Sequence, residues 1–307
     1  MAALPDNDPS ADAPGVSPRA ALVLLGFVIV LWGANWPVMK VGLQFIPPLS
    51  FAAARMVMGA IILFAVAAAL GELRFPDRRD WPIVLAVGAL QMAAFMALTT
   101  VGLQFVPAGR SAILAYTTPL WVTPLAIYVL GERLNRLKLY GLLCGLGGVA
   151  VLFNPFGFDW RDPHVLLGNG LLLAAALAWA LLIVQVRRHR WQGSPLSLGP
   201  WQFSVAAVLL VPLALIFEAD RPWRWSSELA WVLLYNGPLA SAFCFWAMLT
   251  INRALPAITT SLASLGVPAF GLLASTLALG EPMTATNSLG FLLIAGGVAG
   301  VVLADRA

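Results

Sequence analysis

The amino-acid sequence predicts an all-α membrane protein whose ten transmembrane helices form two inverted five-helix repeats around a central cavity. Three observations lead to this prediction: the composition, the length of the apolar runs and an internal repeat. Of the 307 residues, 60% are hydrophobic and only 10% are charged. Soluble domains carry about 25% charged residues, so this chain lacks the polar groups to cover a water-facing surface. The apolar runs do not alternate with polar residues, which favours helices over the strands of a membrane barrel.

Each apolar run is close to the roughly 20 residues that a helix needs to cross the hydrocarbon core. Residues 1–19 precede the first run; they are rich in Pro, Asp and Ala and are predicted to form a disordered cytoplasmic tail. No positively charged segment precedes the first run, so a cleaved signal peptide is not expected. The predicted spans are 20–40, 49–70, 81–102, 108–130, 134–153, 166–187, 197–217, 227–250, 256–279 and 286–304.

The distribution of lysine and arginine predicts the orientation of the spans. With the N-terminus in the cytoplasm, twelve of the 18 basic residues fall on the cytoplasmic side and four on the other side. The remaining two, Arg55 and Arg110, lie just inside spans. Both termini are therefore predicted to be cytoplasmic. The net charge of +4 does not indicate nucleic-acid binding, because the basic residues occupy short loops rather than one soluble face.

The chain carries an internal repeat with an offset of 149 residues, the separation of Pro107 and Pro256. The matches cluster at glycine, proline and glutamate and need no gap. They divide the chain into a first repeat, 20–154, and a second repeat, 155–307. Because five spans is an odd number, the second repeat enters the membrane inverted. Further matches pair Pro119 with Pro268, Gly131-Glu132 with Gly280-Glu281, and Gly147 to Ala150 with Gly296 to Ala299.

Inverted repeats are typical of secondary transporters, whose substrate site lies near the membrane midplane where the two halves meet. A duplication kept only for folding is the alternative. An intramembrane enzyme is disfavoured because neither His164 nor His189 and no Asp lies within a span. A channel is disfavoured because the sequence shows neither a ring of charges nor a carbonyl filter. The prediction is a small-solute transporter without catalytic residues.

Two five-helix halves, a Trp-Gly-x-Asn-Trp-Pro cluster from Trp32 to Pro37 and a Gly-Glu pair after spans four and nine resemble the drug/metabolite transporter superfamily, EamA type. The resemblance covers nearly the whole chain after the tail. The nearest branch is the bacterial exporters of aromatic and other amino acids, of the YddG kind. The resemblance implies a basket-like bundle whose central cavity is lined by spans one, three, four, six, eight and nine.

The same resemblance implies a function in the bacterial inner membrane. It is the export of amino acids or related small metabolites, aromatic or hydrophobic ones above all, by alternating access through the central cavity. Export of drugs or other metabolites is the alternative within the superfamily. No cofactor and no metal are expected, and Cys144 and Cys244 are interpreted as packing residues because they fall inside apolar runs. The expected partners are a small-molecule substrate and the lipid bilayer, not nucleic acid, and the expected functional unit is a monomer.

Polar and aromatic side chains at span depth are the candidates for lining the cavity. Trp32, Asn35 and Trp36, for example, share one face of span one by their helical spacing. Uncharged amides, hydroxyls and rings suit a zwitterion with an apolar side chain. For any single residue, helix–helix packing is an open alternative. The predicted substrate-binding residues are Trp32, Asn35, Trp36, Gln91, Phe95, Tyr116, Trp179, Asn236, Phe243 and Ser264.

Proline and glycine inside the spans carry separate predictions. The matched pair Pro119 and Pro268 is predicted to provide hinges for gating, with a static kink as the alternative. Gly131 is predicted to be a left-handed C-cap. Glycines of spans five and ten, in the pairs Gly141-xxx-Gly145 and Gly296-xxx-Gly300, are predicted to allow close helix packing within one chain. A leucine in place of Gly147 is predicted to impair packing.

Charged residues are nearly absent from the span interiors. No Asp or Glu lies mid-span, which favours facilitated, gradient-driven movement over ion coupling. Arg55 lies a turn or two inside span two. For this side chain, snorkelling to the outer interface is favoured over binding a substrate carboxylate.

Overall fold

The computed structural model describes residues 16–106, 108–131, 135–153, 161–256, 259–260, 263–279 and 285–304. Every regular element in these ranges is helical, and six of the helices are long and apolar enough to cross a membrane. The predicted all-helical architecture is thereby confirmed. The six are α1 (Pro18–Gly42), α2 (Pro48–Ala69), α3 (Trp81–Phe105), α7 (Pro163–Arg188), α8 (Pro195–Phe217) and α9 (Ser227–Ala254). Five further helices are α4 (Ala108–Ala115), α5 (Thr118–Leu125), α6 (Arg136–Phe153), α10 (Gly266–Leu279) and α11 (Ala285–Ala304).

Predicted span four is not one continuous helix but is broken between α4 and α5. Pro119 has no backbone N–H, and in a continuous helix its ring would clash with the carbonyl of Ala115, four residues earlier. α4 therefore ends at Ala115, and Pro119 takes the second position of α5, where no N–H partner is needed. The hydroxyls of Thr117 and Thr118 donate to the carbonyl oxygens of Leu114 and Ala115, at 2.8 and 3.3 Å. These bonds help to satisfy the carbonyls at the break.

The second half contains the same break. Pro268 lies in the first turn of α10, which begins at Gly266, and Ser264 and Leu265 form the turn ahead of it. Pro119 and Pro268 are 149 residues apart. Each proline thus follows a helix break instead of kinking a continuous helix.

Both α3 and α9 contain a π-helical segment. The segments are Val87–Ala94 in α3 and Tyr235–Phe243 in α9, and each is followed by eleven α-helical residues, Phe95–Phe105 and Cys244–Ala254. These two α-helical stretches are again 149 residues apart. Pro238 in the second segment lacks the N–H that a regular ladder requires. A π-helical turn bonds residue i to residue i+5 and changes the direction in which side chains point, and such turns are frequent at functional sites.

The most extensive helix packings join one half of the chain to the other: α6 with α11, α2 with α8, α1 with α10, and α3 with α7. Glycine permits several of these approaches. A methyl group on Gly33 of α1 would lie 2.9 Å from Cβ of Phe270 in α10, and one on Gly59 of α2 would overlap the ring of Phe203 in α8. The glycine of the Trp-Gly-x-Asn-Trp-Pro cluster is therefore a packing residue.

Reciprocal glycines bring α6 and α11 together. A methyl group on Gly148 would lie 2.7 Å from the carbonyl oxygen of Gly290, and one on Gly297 would lie 2.7 Å from that of Gly141. Close packing within the chain is confirmed for Gly141 and Gly145, whose backbone O and N atoms would lie 2.7 and 2.8 Å from a methyl group on Gly297. Gly147 and Gly296, in contrast, have open space where their side chains would be, so the expectations for these two residues are wrong.

The end of the first broken span carries its predicted cap. Gly131 has a φ of 68° and a ψ of 19°, the left-handed conformation that glycine adopts without strain. The adjoining Glu132 and the repeat-matched Gly280 and Glu281 lie outside the described residues.

Two buried carboxylates, each in a loop of one half of the chain, accept hydrogen bonds from backbone N–H groups at or just before the start of a helix in the other half. Asp80, just before α3, accepts hydrogen bonds from the backbone N–H groups of residues 192 and 193, at 3.1 and 2.7 Å, shortly before α8 begins. Glu218, just after α8, accepts them from residues 49 and 50 in the first turn of α2, at 2.9 and 2.7 Å. Free N–H groups at a helix start favour such negative partners.

Candidate functional site

Two small adjoining cavities lie among α1, α2, α3, α7, α9 and the break between α4 and α5. Their volumes are about 20 and 10 Å³, so the larger has room for a single water molecule. They share four aromatic lining residues, and we treat them together as the central cavity. The larger part is lined by Trp32, Asn35, Trp36, Met39, Arg55, Phe95, Met96, Thr99, Tyr116, Trp179 and Phe245; the smaller part adds Ala115, Thr118, Met248 and Ser264.

Among the described residues, six aromatic rings line the central cavity. The Trp179 ring centroid lies 4.6 Å from that of Phe95 and 5.4 Å from that of Trp32, both edge to face. Trp36 and Tyr116 form a further edge-to-face pair at 6.4 Å. Such pairs contribute about 0.5–1.5 kcal/mol each beyond the area they bury, so the rings hold one another in place.

Trp32 is also fixed by a hydrogen bond between the two halves. Its Nε1 donates to the carbonyl oxygen of Ala240, at 2.8 Å. Ala240 belongs to the π-helical segment of α9. The N–H group of Trp32 is therefore already paired. The indole ring is held in one orientation and presents an apolar surface to the cavity.

Asn35 brings an amide into the larger part of the cavity. Its side chain is 4% exposed, and its Oδ1 has no hydrogen-bond partner among the described residues. A buried polar atom without a partner costs about 1–3 kcal/mol, so this oxygen is suited to accept from a water molecule or a ligand. Thr99, in contrast, donates its hydroxyl to the carbonyl oxygen of Phe95, at 2.7 Å.

Arg55 lines the cavity as well, and the sequence-based expectation for it is wrong. Its side chain is 1% exposed and does not snorkel to the outer interface. Its Nε donates to Ser241 Oγ at 3.2 Å, and its Nη1 donates to the Met39 sulfur at 3.0 Å. These partners lie on α9 and α1 and hold the guanidinium inside the bundle. A signal was present in the sequence, because a cation inside an apolar span is a candidate functional residue by default.

Seven of the ten predicted residues lie at the central cavity. Gln91, Asn236 and Phe243 do not line it in this structure; the two amides are buried, and Phe243 packs on Trp246 with ring centroids 6.0 Å apart. The seven are Trp32, Asn35, Trp36, Phe95, Tyr116 and Trp179 in the larger part and Ser264 in the smaller part.

The three exceptions have one structural cause. Gln91 lies in the π-helical segment of α3, and Asn236 and Phe243 lie in that of α9. Their predicted placement rests on the spacing of an α-helix with 3.6 residues per turn, which does not hold in a π-helical segment. Residues just after the segments, such as Phe95 and Phe245, face the cavity instead.

The central cavity is therefore equipped with rings, thioethers, hydroxyls, one amide and one guanidinium. Such a mainly apolar lining with a few polar groups is typical of sites for small organic molecules. In the described part of the chain, no three His, Cys, Asp or Glu side chains come together in a group able to hold a metal ion.

A helical membrane bundle with a central, ring-lined cavity is the architecture of a small-molecule transporter. The model of the EamA-like transporter family matches residues 19–154 and 166–303. The chain therefore belongs to the EamA-like transporter family, within the drug/metabolite transporter superfamily, as its motifs predict. It is a multi-pass membrane transporter and not an enzyme.

Relatives of the chain carry matching names. The uncharacterized transporter YoaV of Bacillus subtilis is 32% identical over 90% of this chain and 95% of that protein. A probable amino-acid metabolite efflux pump of Escherichia coli is 28% identical over 90% and 92%. A probable terminal-alkyne amino-acid exporter of Streptantibioticus cattleyicolor is 27% identical over 93% and 92%. One solved crystal structure superposes with a TM-score of 0.75 at 24% identity, covering 94% of this chain and 98% of the other, and this likeness shows the fold.

Proposed function

We propose that the protein exports amino acids or related small metabolites, aromatic or hydrophobic ones above all, by alternating access through the central cavity. The observation that carries the proposal is the ring cluster around Trp179, with the unpaired amide oxygen of Asn35 beside it in the same cavity. Rings suit an apolar substrate side chain, and the amide suits a charged substrate end. The names of the Escherichia coli and Streptantibioticus relatives support the same substrate class.

For the architecture we propose ten spans in two inverted repeats, 20–154 and 155–307, with α4 and α5 together forming one span. Three features support the repeat at an offset of 149 residues: the breaks before Pro119 and Pro268, the stretches that follow the π-helical segments, and the glycine contacts of α6 and α11. An inverted repeat provides two equivalent arrangements of the halves, which alternating access uses.

Transport requires the cavity lining to move, because a volume of about 20 Å³ holds one water molecule and not an amino acid. The breaks before Pro119 and Pro268 interrupt the backbone hydrogen-bond ladder of their spans. Motion of α5 and α10 there would widen the cavity without breaking helical bonds. We therefore assign hinge roles to the two prolines.

We place the protein in a bacterial inner membrane with both termini in the cytoplasm, acting as a monomer. The bacterial origin of relatives supports the choice of membrane. The orientation rests on the excess of basic residues in the loops assigned to the cytoplasm.

Counterflow in proteoliposomes tests the substrate class. Vesicles containing the purified full chain are loaded with unlabelled L-phenylalanine and diluted into labelled L-phenylalanine. We expect transient accumulation of label that exceeds that of protein-free vesicles. Competing unlabelled amino acids then rank the side chains, and cationic drugs tested in the same vesicles address the alternative. Exchange of a drug with no exchange of any amino acid would overturn the substrate class while leaving the transporter assignment intact.

A further inference from the structure

Arg55 is a buried cation that has no acidic partner in the described part of the chain. It lines the larger part of the central cavity, and its side chain is 1% exposed. The titratable groups near enough to influence it are Tyr116, Tyr235 and Cys244, which are ordinarily uncharged at neutral pH. No carboxylate pairs with Arg55 among the described residues. Its positive charge is therefore not neutralised by a described part of the chain.

The groups that do contact Arg55 are neutral. They are the hydroxyl of Ser241, the sulfur of Met39 and the ring of Phe51, whose centroid lies 5.7 Å from the guanidinium carbon. A cation at span depth is costly to keep, and such residues usually face a cavity and mark a pathway for a substrate or ion. The position of Arg55 on the cavity wall fits this rule.

The central cavity contains hydrogen-bond donors of Arg55 and a hydrogen-bond acceptor of Asn35 that have no partner among the described residues. A guanidinium has five N–H groups in a planar fork. Two of those of Arg55 donate to Ser241 and Met39, and the other three have no acceptor among the described residues. Asn35 lines the same part of the cavity, and its Oδ1 lacks a donor. A ligand with both an anionic and an N–H-bearing end would satisfy both groups.

We propose that Arg55 binds the carboxylate of the transported molecule and that Asn35 Oδ1 accepts from its ammonium group. This inference rests on the proposed function and narrows it to amino acids and related monocarboxylates with an apolar body. A guanidinium pairs with a carboxylate through two parallel N–H···O bonds, which fix the orientation of the ligand. The rings around Trp179 then receive the apolar body.

The charge of the lining also determines what is rejected. Arg55 is the only charged residue that lines the two parts of the cavity as described. One positive charge matches one carboxylate, whereas a phosphate monoester carries about two negative charges and is left half-neutralised. A cationic amine without a carboxylate is repelled. The site therefore selects against the cationic drugs of the alternative function.

Three related probes separate the two polar contacts. L-Phenylalanine has a carboxylate and an ammonium group, L-phenylalaninamide lacks the carboxylate, and 3-phenylpropionate lacks the ammonium group. Binding is measured as protection of the purified full chain against thermal unfolding in detergent, in a chloride-free sulfate buffer. For the wild-type protein we expect the amide to bind at least about tenfold more weakly than L-phenylalanine, since hydrogen bonds to charged groups are strong.

Variants assign the contacts. Arg55→Gln should weaken L-phenylalanine and 3-phenylpropionate by at least about tenfold, whereas the cationic amide, which the Arg55 charge repels, should bind more tightly. Asn35→Ala should weaken L-phenylalanine and the amide but not 3-phenylpropionate. Arg55→Lys, which keeps the charge without the fork, should fall between wild type and Arg55→Gln and serves if Arg55→Gln does not fold. Lys40→Gln is the control, because Lys40 donates to the carbonyl oxygen of Leu103 and lines neither part of the cavity.

Several results would overturn the inference. These are equal binding of acid and amide by the wild-type protein, equal losses for all three probes in Arg55→Gln, and protection by chloride alone. Failure of the wild-type protein to bind L-phenylalanine, L-leucine or 3-phenylpropionate would also overturn it. Arg55-dependent carboxylate binding without amino-acid counterflow would leave the inference standing and refute the proposed function. Counterflow that is unchanged in Arg55→Gln would do the reverse.

Discussion

The Nε2 atom of His189 lies 2.9 Å from Oδ1 of Asp80, the same fully buried carboxylate that accepts the backbone N–H groups of residues 192 and 193. All three donors come from the connection between α7 and α8, while Asp80 precedes α3. Glu218, which follows α8, has the corresponding role for the start of α2. Each carboxylate thus joins a connection to the region of a helix start that is far away in the chain.

Removal of the Asp80 carboxylate should destabilise the fold. Asp80→Ala leaves two backbone N–H groups and a histidine without their acceptor, and we expect a loss of about 1–3 kcal/mol in the free energy of unfolding. The measurement is the thermal unfolding midpoint of the purified protein in detergent. Asp220→Ala, at an exposed position, is the control and should unfold like wild type. Equal midpoints for both variants would show that the Asp80 contacts do not contribute.

Two neighbouring glycines should differ sharply in their tolerance of a side chain. Gly148→Leu pushes against the backbone of Gly290 and should lower stability by about 1–3 kcal/mol or prevent folding. Gly147→Leu fills open space and should purify normally. Yield of monodisperse protein and the unfolding midpoint decide the matter. Similar damage from both substitutions would contradict the described register of α6 against α11.

Loss of a cavity ring should weaken substrate binding without affecting insertion. Trp32→Ala and Tyr116→Ala each remove a ring from the cavity lining. If an aromatic substrate forms one ring contact with that side chain, worth about 0.5–1.5 kcal/mol beyond area burial, its apparent KM should rise roughly 2- to 13-fold. Phe243→Ala is the control, because Phe243 packs outside the cavity. Wild-type KM values in both cavity variants at normal expression would place the substrate elsewhere.

Restoring the backbone N–H at the first helix break should slow turnover. In Pro119→Ala the new N–H group can bond the Ala115 carbonyl, which favours a continuous helix in place of α4 and α5. We expect a lower exchange rate at saturating substrate with little change in KM. The control is Pro212→Ala, because Pro212 lies at an exposed position inside the continuous helix α8. An exchange rate equal to that of wild type would argue against a hinge at Pro119.

The orientation can be tested with single cysteines in a chain whose Cys144 and Cys244 are replaced by alanine. Cysteines at positions 78 and 188 should react only after the membrane is opened, since these positions are predicted to face the cytoplasm. Cysteines at positions 161 and 221 should react in intact cells. A membrane-impermeant maleimide provides the measurement, and the reverse pattern would invert the topology.

The long helices were predictable from the sequence because lipid leaves the backbone no partner outside its own segment. The predicted spans 20–40 and 49–70 agree with α1 and α2 to within two residues at each end. The break within span four was less accessible. Pro119 signals a disturbance, but its neighbours determine whether the helix kinks or stops, and here the hydroxyls of Thr117 and Thr118 support a stop.

The cavity was predictable where helices are regular and unpredictable where they are not. Trp32, Asn35 and Trp36 lie in an uninterrupted α-helix, and their common face is the one that periodicity indicates. Gln91 and Asn236 lie in π-helical segments. The sequence periodicity assumes a regular α-helix, so it does not show that these segments turn the two side chains away from the cavity. Arg55 was misjudged for another reason: snorkelling is the usual behaviour of a cation near a helix end, and the inward partner Ser241 is 186 residues away in sequence.

The pairing of early helices with late ones has a consequence for how the protein is made. α1 leaves the ribosome long before α10, and α6 long before α11. The helix surfaces around Gly33 and Gly148 therefore remain in the bilayer without their packing partners until the later helices are made. A nascent chain halted after its first half exposes these narrow faces to lipid or to another unfinished chain. The packing between the early and the late helices is therefore complete only after the last helix, α11, has been synthesised. A chain that terminates shortly before α11 should insert into the membrane but leave α6 without its packing partner, and we expect membrane proteases to degrade it.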